Sequence, residues 1–243
     1  RRRGLAVLLA LVMLLAALPA WAVAADDGQS EIISVTTDNK GAAQVSGSQL
    51  EKAVDSALAS GDGAVEIQVK LPKEPDFLEV SLPVEAMETL GSHKGATLTM
   101  VSSLADVSLD HEAMAAIANQ AQGETAVFTL APVSSGKLSE HQRQIVNGAP
   151  VYELTLVCAG KEINTFGGGK VTVTLPYEKP QWQKAAGVVV WSMDEYSRLT
   201  DCETSYDSTA KEVTFSTRHF SLYVVGYEEP LRLPFTDVPG DYW

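Results

Sequence analysis

Two stretches of this chain are copies of each other. Val-Ser-Leu-Pro-Val-Glu-Ala-Met-Glu-Thr-Leu at 80–90 and Val-Ser-Leu-Asp-His-Glu-Ala-Met-Ala-Ala-Ile at 107–117 align without a gap. Each opens as a strand, turns into a helix, reaches a glycine (Gly91, Gly123) and resumes as a strand, at 96–101 or 125–130. A weaker third copy precedes them. There Ser48 is expected to cap a helix whose Glu51 completes a capping box, with Leu50, Ala53, Val54, Ala57 and Leu58 on one face. That helix stops at Gly61, and Val65, Ile67, Val69 and Leu71 then alternate with Glu66, Gln68 and Lys70 as in a strand. A single strand–helix–strand unit is too small to bury its own apolar face. The units must therefore pack together, and residues 31–132 are expected to form one α+β layer structure. Met87 and Met114 occupy matched helix positions and are expected in the core. The pattern leaves open which strands pair.

A short helix with a second capping box, Ser139 to Gln142, leads into a β-rich region, residues 133–227. Short alternating runs around 151–158, 170–177, 187–193, 211–217 and 219–227 are separated by Gly, Pro, Asp and Ser clusters, the pattern of an antiparallel sandwich. Tyr206–Lys211 has hairpin-turn composition. Cys158 and Cys202 are too few for a disulfide scaffold. Cys158 shares a strand face with Leu154 and Leu156 and is expected buried, whereas Cys202 lies in a polar loop; whether the two pair stays open.

The beginning of the chain speaks to location. Arg1, Arg2 and Arg3 precede a short apolar run, Pro19, and small residues at Ala20, Ala22 and Ala24. This is the layout of a secretory signal peptide, residues 1–24, cleaved after Ala22 or Ala24; the apolar run is short for a membrane span. The chain has no initiator methionine and is expected to extend before Arg1. The formal charge is −13, and the leader carries three arginines and no acid, so the remainder has 15 basic against 31 acidic residues, or −16. Such a surface repels nucleic acid and anionic membranes, and neither is expected as a partner.

Residues 228–243 read as a linker followed by Leu-Pro-Phe-Thr-Asp-Val-Pro-Gly-Asp-Tyr-Trp, in which Phe235, Asp237, Val238 and Trp243 resemble the opening of an S-layer homology repeat. The resemblance implies a bacterial cell-surface protein, held non-covalently to cell-wall polysaccharide through repeats continuing past Trp243. The polymer-binding residues of that family lie further along, so none is carried over. Much of 149–227 also resembles a β-rich module found upstream of such repeats, through Ala149–Leu156, Ile163–Tyr177, Gly187–Thr200 and Val213–Tyr227. Members are extracellular and treated as structural or adhesive spacers. Both resemblances imply place and class, a non-enzymatic wall-anchored spacer; an accessory region of a wall-anchored hydrolase is the weaker variant.

Little in the chain points to chemistry. The glycines of Thr165–Val173 are not a phosphate loop, because Lys170 is followed by Val171 and a strand; a bulge or tight turn fits. His93, His111, His141 and His219 are scattered, and His111-Glu112 lacks the second histidine of a zinc-protease helix, reading instead as a helix start capped by Asp110. No calcium loop is present, though Asp194, Glu195, Asp201 and Asp207 could attract the ion weakly. Aromatic residues are sparse, and Trp182 and Trp191 are the candidates for a sugar-stacking surface. No metal or cofactor is expected.

The exception is His219-Phe220-Ser221, which resembles the self-cleavage tripeptide of certain autoproteolytic β-modules. There the serine hydroxyl attacks the preceding carbonyl, here that of Phe220, with the histidine assisting proton transfer. Against it, 219–227 alternates as a regular strand, with Phe220, Leu222 and Val224 on one face and Ser221, Tyr223 and Val225 on the other. The strand reading is preferred.

Overall fold

A computed structural model describes residues 30–72 and 75–229. The signal-peptide segment and Phe235, Asp237, Val238 and Trp243 lie outside the described residues. The protein is an α+β fold with two mixed sheets laid over a common core.

The chain enters on β1 (Glu31–Thr36), then forms β2 (Ala42–Gln44), helix α1 (Gly47–Ser60) and β3 (Ala64–Lys70). The next copy is β4 (Leu78–Pro83), α2 (Val84–Gly91) and β5 (Thr97–Val101), and the last is β6 (Asp106–Asp110), α3 (His111–Gln120) and β7 (Thr125–Pro132). After α4 (Glu140–Val146) come β8 (Val151–Cys158), β9 (Lys161–Glu162), β10 (Val171–Pro176), β11 (Val188–Met193), β12 (Leu199–Asp201), β13 (Glu203–Asp207), β14 (Glu212–Thr217) and β15 (Leu222–Tyr227). The first sheet has the order β1-β3-β5-β6-β10-β14-β13; the second is β12-β11-β15-β8-β7-β4-β2, with β9 beside β8.

Every strand–helix–strand copy crosses between the sheets, so its helix spans them and its apolar face joins the core. The first two copies run the same way, with β2 parallel to β4 and β3 parallel to β5. The third is inverted. Its β6 lies in the first sheet, antiparallel to β5, and its β7 in the second, antiparallel to β4. The matched Val-Ser-Leu segments thus stand in opposite sheets, related by a local pseudo-two-fold axis, and α2 packs on α3. At that crossing a Cβ on Gly91 would lie 2.6 Å from the Ala115 nitrogen, so only glycine lets the helices approach this closely. Met87 and Met114 are fully buried, as expected.

Both sheets continue across residue 132. β6 pairs with β10 (Val107 opposite Val173) and β7 with β8 (Phe128 opposite Leu156), so the α+β repeat region 31–132 and the β-rich region 133–227 share one core. On the far side the chain changes sheet at Cys202. β12 pairs with β11, β13 pairs with β14, and Val190 of β11 accepts from Cys202 N–H at 2.9 Å and donates to Thr204 Oγ1 at 3.1 Å. One extended segment therefore closes that side of the sandwich. A second, smaller core of Leu138, Val146, Val151, Met193 and Val224 forms where α4 covers the outer face of the second sheet.

Local signals fared unevenly. The Ser139–Gln142 capping box is complete, with both reciprocal bonds (2.9 and 3.1 Å), and Asp110 caps α3 through Ala113 N–H at 2.8 Å. Asp207 ties the hairpin turn between β13 and β14. The expected Ser48–Glu51 box does not form. Helix α1 begins earlier, with Ser46 as cap residue, and Ser48 Oγ bonds Ser46 Oγ at 3.2 Å. The helix does end at Gly61, whose φ of 91° closes it in the left-handed region. Cys158 is buried beside Leu154 and Leu156, and both cysteines are free thiols.

Candidate functional site

The His-Phe-Ser tripeptide precedes β15, which begins at Leu222 rather than at His219. Within β15 the two faces group as expected, Tyr223 and Val225 toward the main core and Leu222 and Val224 toward the small outer core; the departure is Phe220, which packs in the main core rather than on the Leu222 face. A break at Ser221 is what allows Phe220 and Tyr223 to point the same way.

Each part of the tripeptide is tied down. The Phe220 ring stands edge-on to Phe166 (centroids 4.7 Å apart) and tilted against Phe128 (5.6 Å). Phe220 N–H donates to Asn164 carbonyl at 2.9 Å, and Ser221 carbonyl accepts from Leu154 N–H at 3.1 Å. The His219 carbonyl accepts from Thr217 Oγ1 at 2.8 Å and from the buried Tyr223 hydroxyl, and the His219 ring stacks on that of Tyr223. Burial holds the Tyr223 phenol well above its ordinary range, which keeps it a neutral donor to this carbonyl. Ser221 Oγ donates to the Leu222 carbonyl at 3.3 Å. Among the described residues no hydrogen bond joins the His219 ring to Ser221, and none of residues 217–222 has a positive φ.

Beside the tripeptide a cleft of about 300 Å³ is lined by Lys170, Ser192, Thr200, Cys202, Glu203 and His219. Lys170 Nζ pairs with Glu203 at 3.3 Å across its rim. Burial pushes the Cys202 thiol up, with Ser192 opposing through hydrogen bonds, so this sulfur is disfavoured as a thiolate. Proximity of Cys202 to the tripeptide was not legible in sequence.

The glycine stretch has a structural purpose. Gly169 lies against the first turn of α3, where its Cβ would come within 2.2 Å of Ala113 nitrogen, and Gly167 takes a φ of 60°. The Asp110 carboxylate bridges helix and loop, accepting from Ala113 N–H on one oxygen and from Lys170 N–H (2.9 Å) on the other. The helix N-terminus that an anion would need is thus occupied by the protein's own carboxylate.

The remaining candidates stay apart. Among the described residues no three His, Cys, Asp or Glu side chains gather in metal-binding geometry. Asp194 and Asp207 serve turns. Their carboxyls are held low, first by hydrogen bonds from Arg198 and Ala210 backbone N–H respectively. Trp182 is 70% exposed, with its ring edge-on to Tyr227, whereas Trp191 packs on the small outer core and lies across Gly226. No helix among the described residues is long and apolar enough to cross a membrane. In comparisons with known proteins, the chain matches no protein-family model and no curated sequence.

Proposed function

We propose that this is a secreted, cell-wall-anchored surface protein whose folded part is a structural or adhesive spacer without enzymatic activity. The observation that carries the reading is the construction of the His219-Phe220-Ser221 segment. Its ring is core, Phe220 N–H is held by the Asn164 carbonyl and the Ser221 carbonyl by Leu154 N–H, and its serine hydroxyl bonds forward to Leu222 rather than back toward the Phe220 carbonyl. The signal-peptide layout at 1–24 and the S-layer homology opening at Phe235–Trp243 support the location, with wall polysaccharide as the partner of the anchoring repeats.

The test is the intact mass of the secreted chain from Ala25 under denaturing conditions. A single uncut species agrees with the spacer. Two fragments meeting at Phe220–Ser221, abolished by Ser221→Ala, would replace it with the autoproteolytic reading.

A further inference from the structure

At each side of the sandwich one chain segment passes between the sheets, β12 to β13 through Cys202 and β1 to β2 through residues 37–41. The longest of these edge strands is β1, which ends the first sheet and pairs, among the described residues, with β3 alone. This is a six-residue edge without proline or lysine, and its one charge, Glu31, accepts from Ser56 Oγ at 2.6 Å. Ile32 is 57% exposed on it. Such an edge lacks the devices that normally prevent strand addition.

The direction of its hydrogen bonds is set by Thr37, whose N–H donates to the Lys70 carbonyl at 3.1 Å. In a parallel pair, alternate residues send both N–H and C=O to the neighbour. Residues 33, 35 and 37 therefore serve β3, and Ile32, Ser34 and Thr36 present theirs outward.

We propose that β1 is a homodimerisation edge, pairing antiparallel with β1 of a second copy about a two-fold axis at Ser34. In that register Ile32 falls opposite Thr36, Ser34 opposite itself, and Thr36 opposite Ile32. Three bonded pairs exchanging two bonds each use all the outward groups, about six hydrogen bonds. On the core side Ile33 falls opposite Val35, and Glu31 falls opposite the uncharged Thr37, so no charge meets a charge. Counting only the residues of β1, an axis at Ile33 keeps two bonded pairs instead of three, which favours Ser34. The second copy is the fitting occupant because the strand is complementary to itself, and two seven-stranded sheets become continuous. The acidic net charge opposes association, so dimerisation strengthens with added salt.

Sedimentation equilibrium of the chain from Ala25, from about 1 µM to about 1 mM, should show a monomer–dimer equilibrium that Ile32→Lys and Ser34→Pro each abolish. Disulfide trapping reads the register independently. Bonded antiparallel pairs hold their Cα atoms about 5.5 Å apart, within disulfide reach. Ser34→Cys should therefore give a covalent dimer under mild oxidation, whereas the more exposed position, as Ile32→Cys, should not, its copies lying about four residues apart along the strand. A wild-type chain monomeric throughout, a dimer indifferent to both edge substitutions, or Ile32→Cys cross-linking as readily as Ser34→Cys would each overturn the proposal.

Discussion

Three adjacent glycines should respond to alanine in three different ways. Gly167 has a φ of 60° and open space around it, so alanine there costs the left-handed strain, about 1–2 kcal/mol, offset in part by a stiffer unfolded chain. At Gly168 the new Cβ meets the Glu112 Oε2 tip at 3.0 Å. That side chain can swing away, so Gly168→Ala should fall within about 0.5–1 kcal/mol of wild type, on either side of zero. At Gly169 the neighbours are backbone, Ala113 N at 2.2 Å and Cα at 2.4 Å, which cannot yield without moving the start of α3. Overpacking of that kind costs about 1–3 kcal/mol. The same movement strains the Asp110 bonds to Ala113 and Lys170 and the Asp110 N–H bond to the Lys170 carbonyl, each worth about 1 kcal/mol. Gly169→Ala should therefore lose about 3–5 kcal/mol, a large part of the roughly 5–15 kcal/mol that holds a domain folded. With a urea slope of about 2 kcal/mol/M, the midpoint falls by about 1.5–2.5 M. Equilibrium urea unfolding followed by circular dichroism reads all three variants. A Gly169→Ala midpoint within error of wild type would refute the account of the loop as a clamp on α3, as would Gly168→Ala proving equally damaging.

Phe220→Ala should cost about 3–5 kcal/mol, because it empties a site walled by Phe128 and Phe166, whereas Ser221→Ala should stay within about 0.5 kcal/mol. Equal effects in thermal denaturation would contradict the packing described. Tyr223→Phe removes a buried donor to the His219 carbonyl and should cost about 1–3 kcal/mol by chemical denaturation; a neutral result would mean that Thr217 alone satisfies that carbonyl. Asp106 has its carboxyl pushed up, chiefly by burial and secondarily by Glu212 and Glu66, against a lowering bond from Ser102 N–H. A carboxyl raised in the folded state loses stability as pH rises from its unfolded to its folded value, carries the full cost above the latter, and costs nothing when both states are protonated. Asp106→Asn should accordingly raise the melting temperature at neutral pH, with the advantage vanishing below the ordinary carboxylate range. An advantage that grew toward acid would reverse the sign of the argument.

The helix faces, the buried methionines and most strands were legible because each has one apolar and one polar side, and burial follows that contrast directly. What the repeat concealed is inversion. Val80-Ser81-Leu82 and Val107-Ser108-Leu109 present the same alternation whichever sheet receives them, and choice of sheet depends on contacts far along the chain. The break at Ser221 was hidden for a related reason. Tyr223 and Val225 face the main core while Val224 faces the small one, so β15 is apolar on both sides and alternation carries no marker of register. The first helix shows a milder failure. Ser46 and Ser48 both lie where a cap could sit, and the sequence pattern favoured the one with a glutamate three residues on. The cleft at Cys202 and His219 joins positions that no sequence spacing connects.

The place of β15 in its sheet bears on how this protein would carry load. It is the last described strand, yet it lies inside the second sheet, antiparallel to β11 over Leu222–Tyr227 and to β8 over Leu222–Val224. A pull on the chain past Tyr227, directed along the strand, meets those ladders in shear: the bonds on both flanks must yield together instead of peeling one by one. Phe220, seated between Phe128 and Phe166, adds a barb at the trailing end that must be dragged out of the core before the strand can slip. Tension applied at that end thus falls on a strand paired on both flanks, whereas β1, among the described residues, is paired on one.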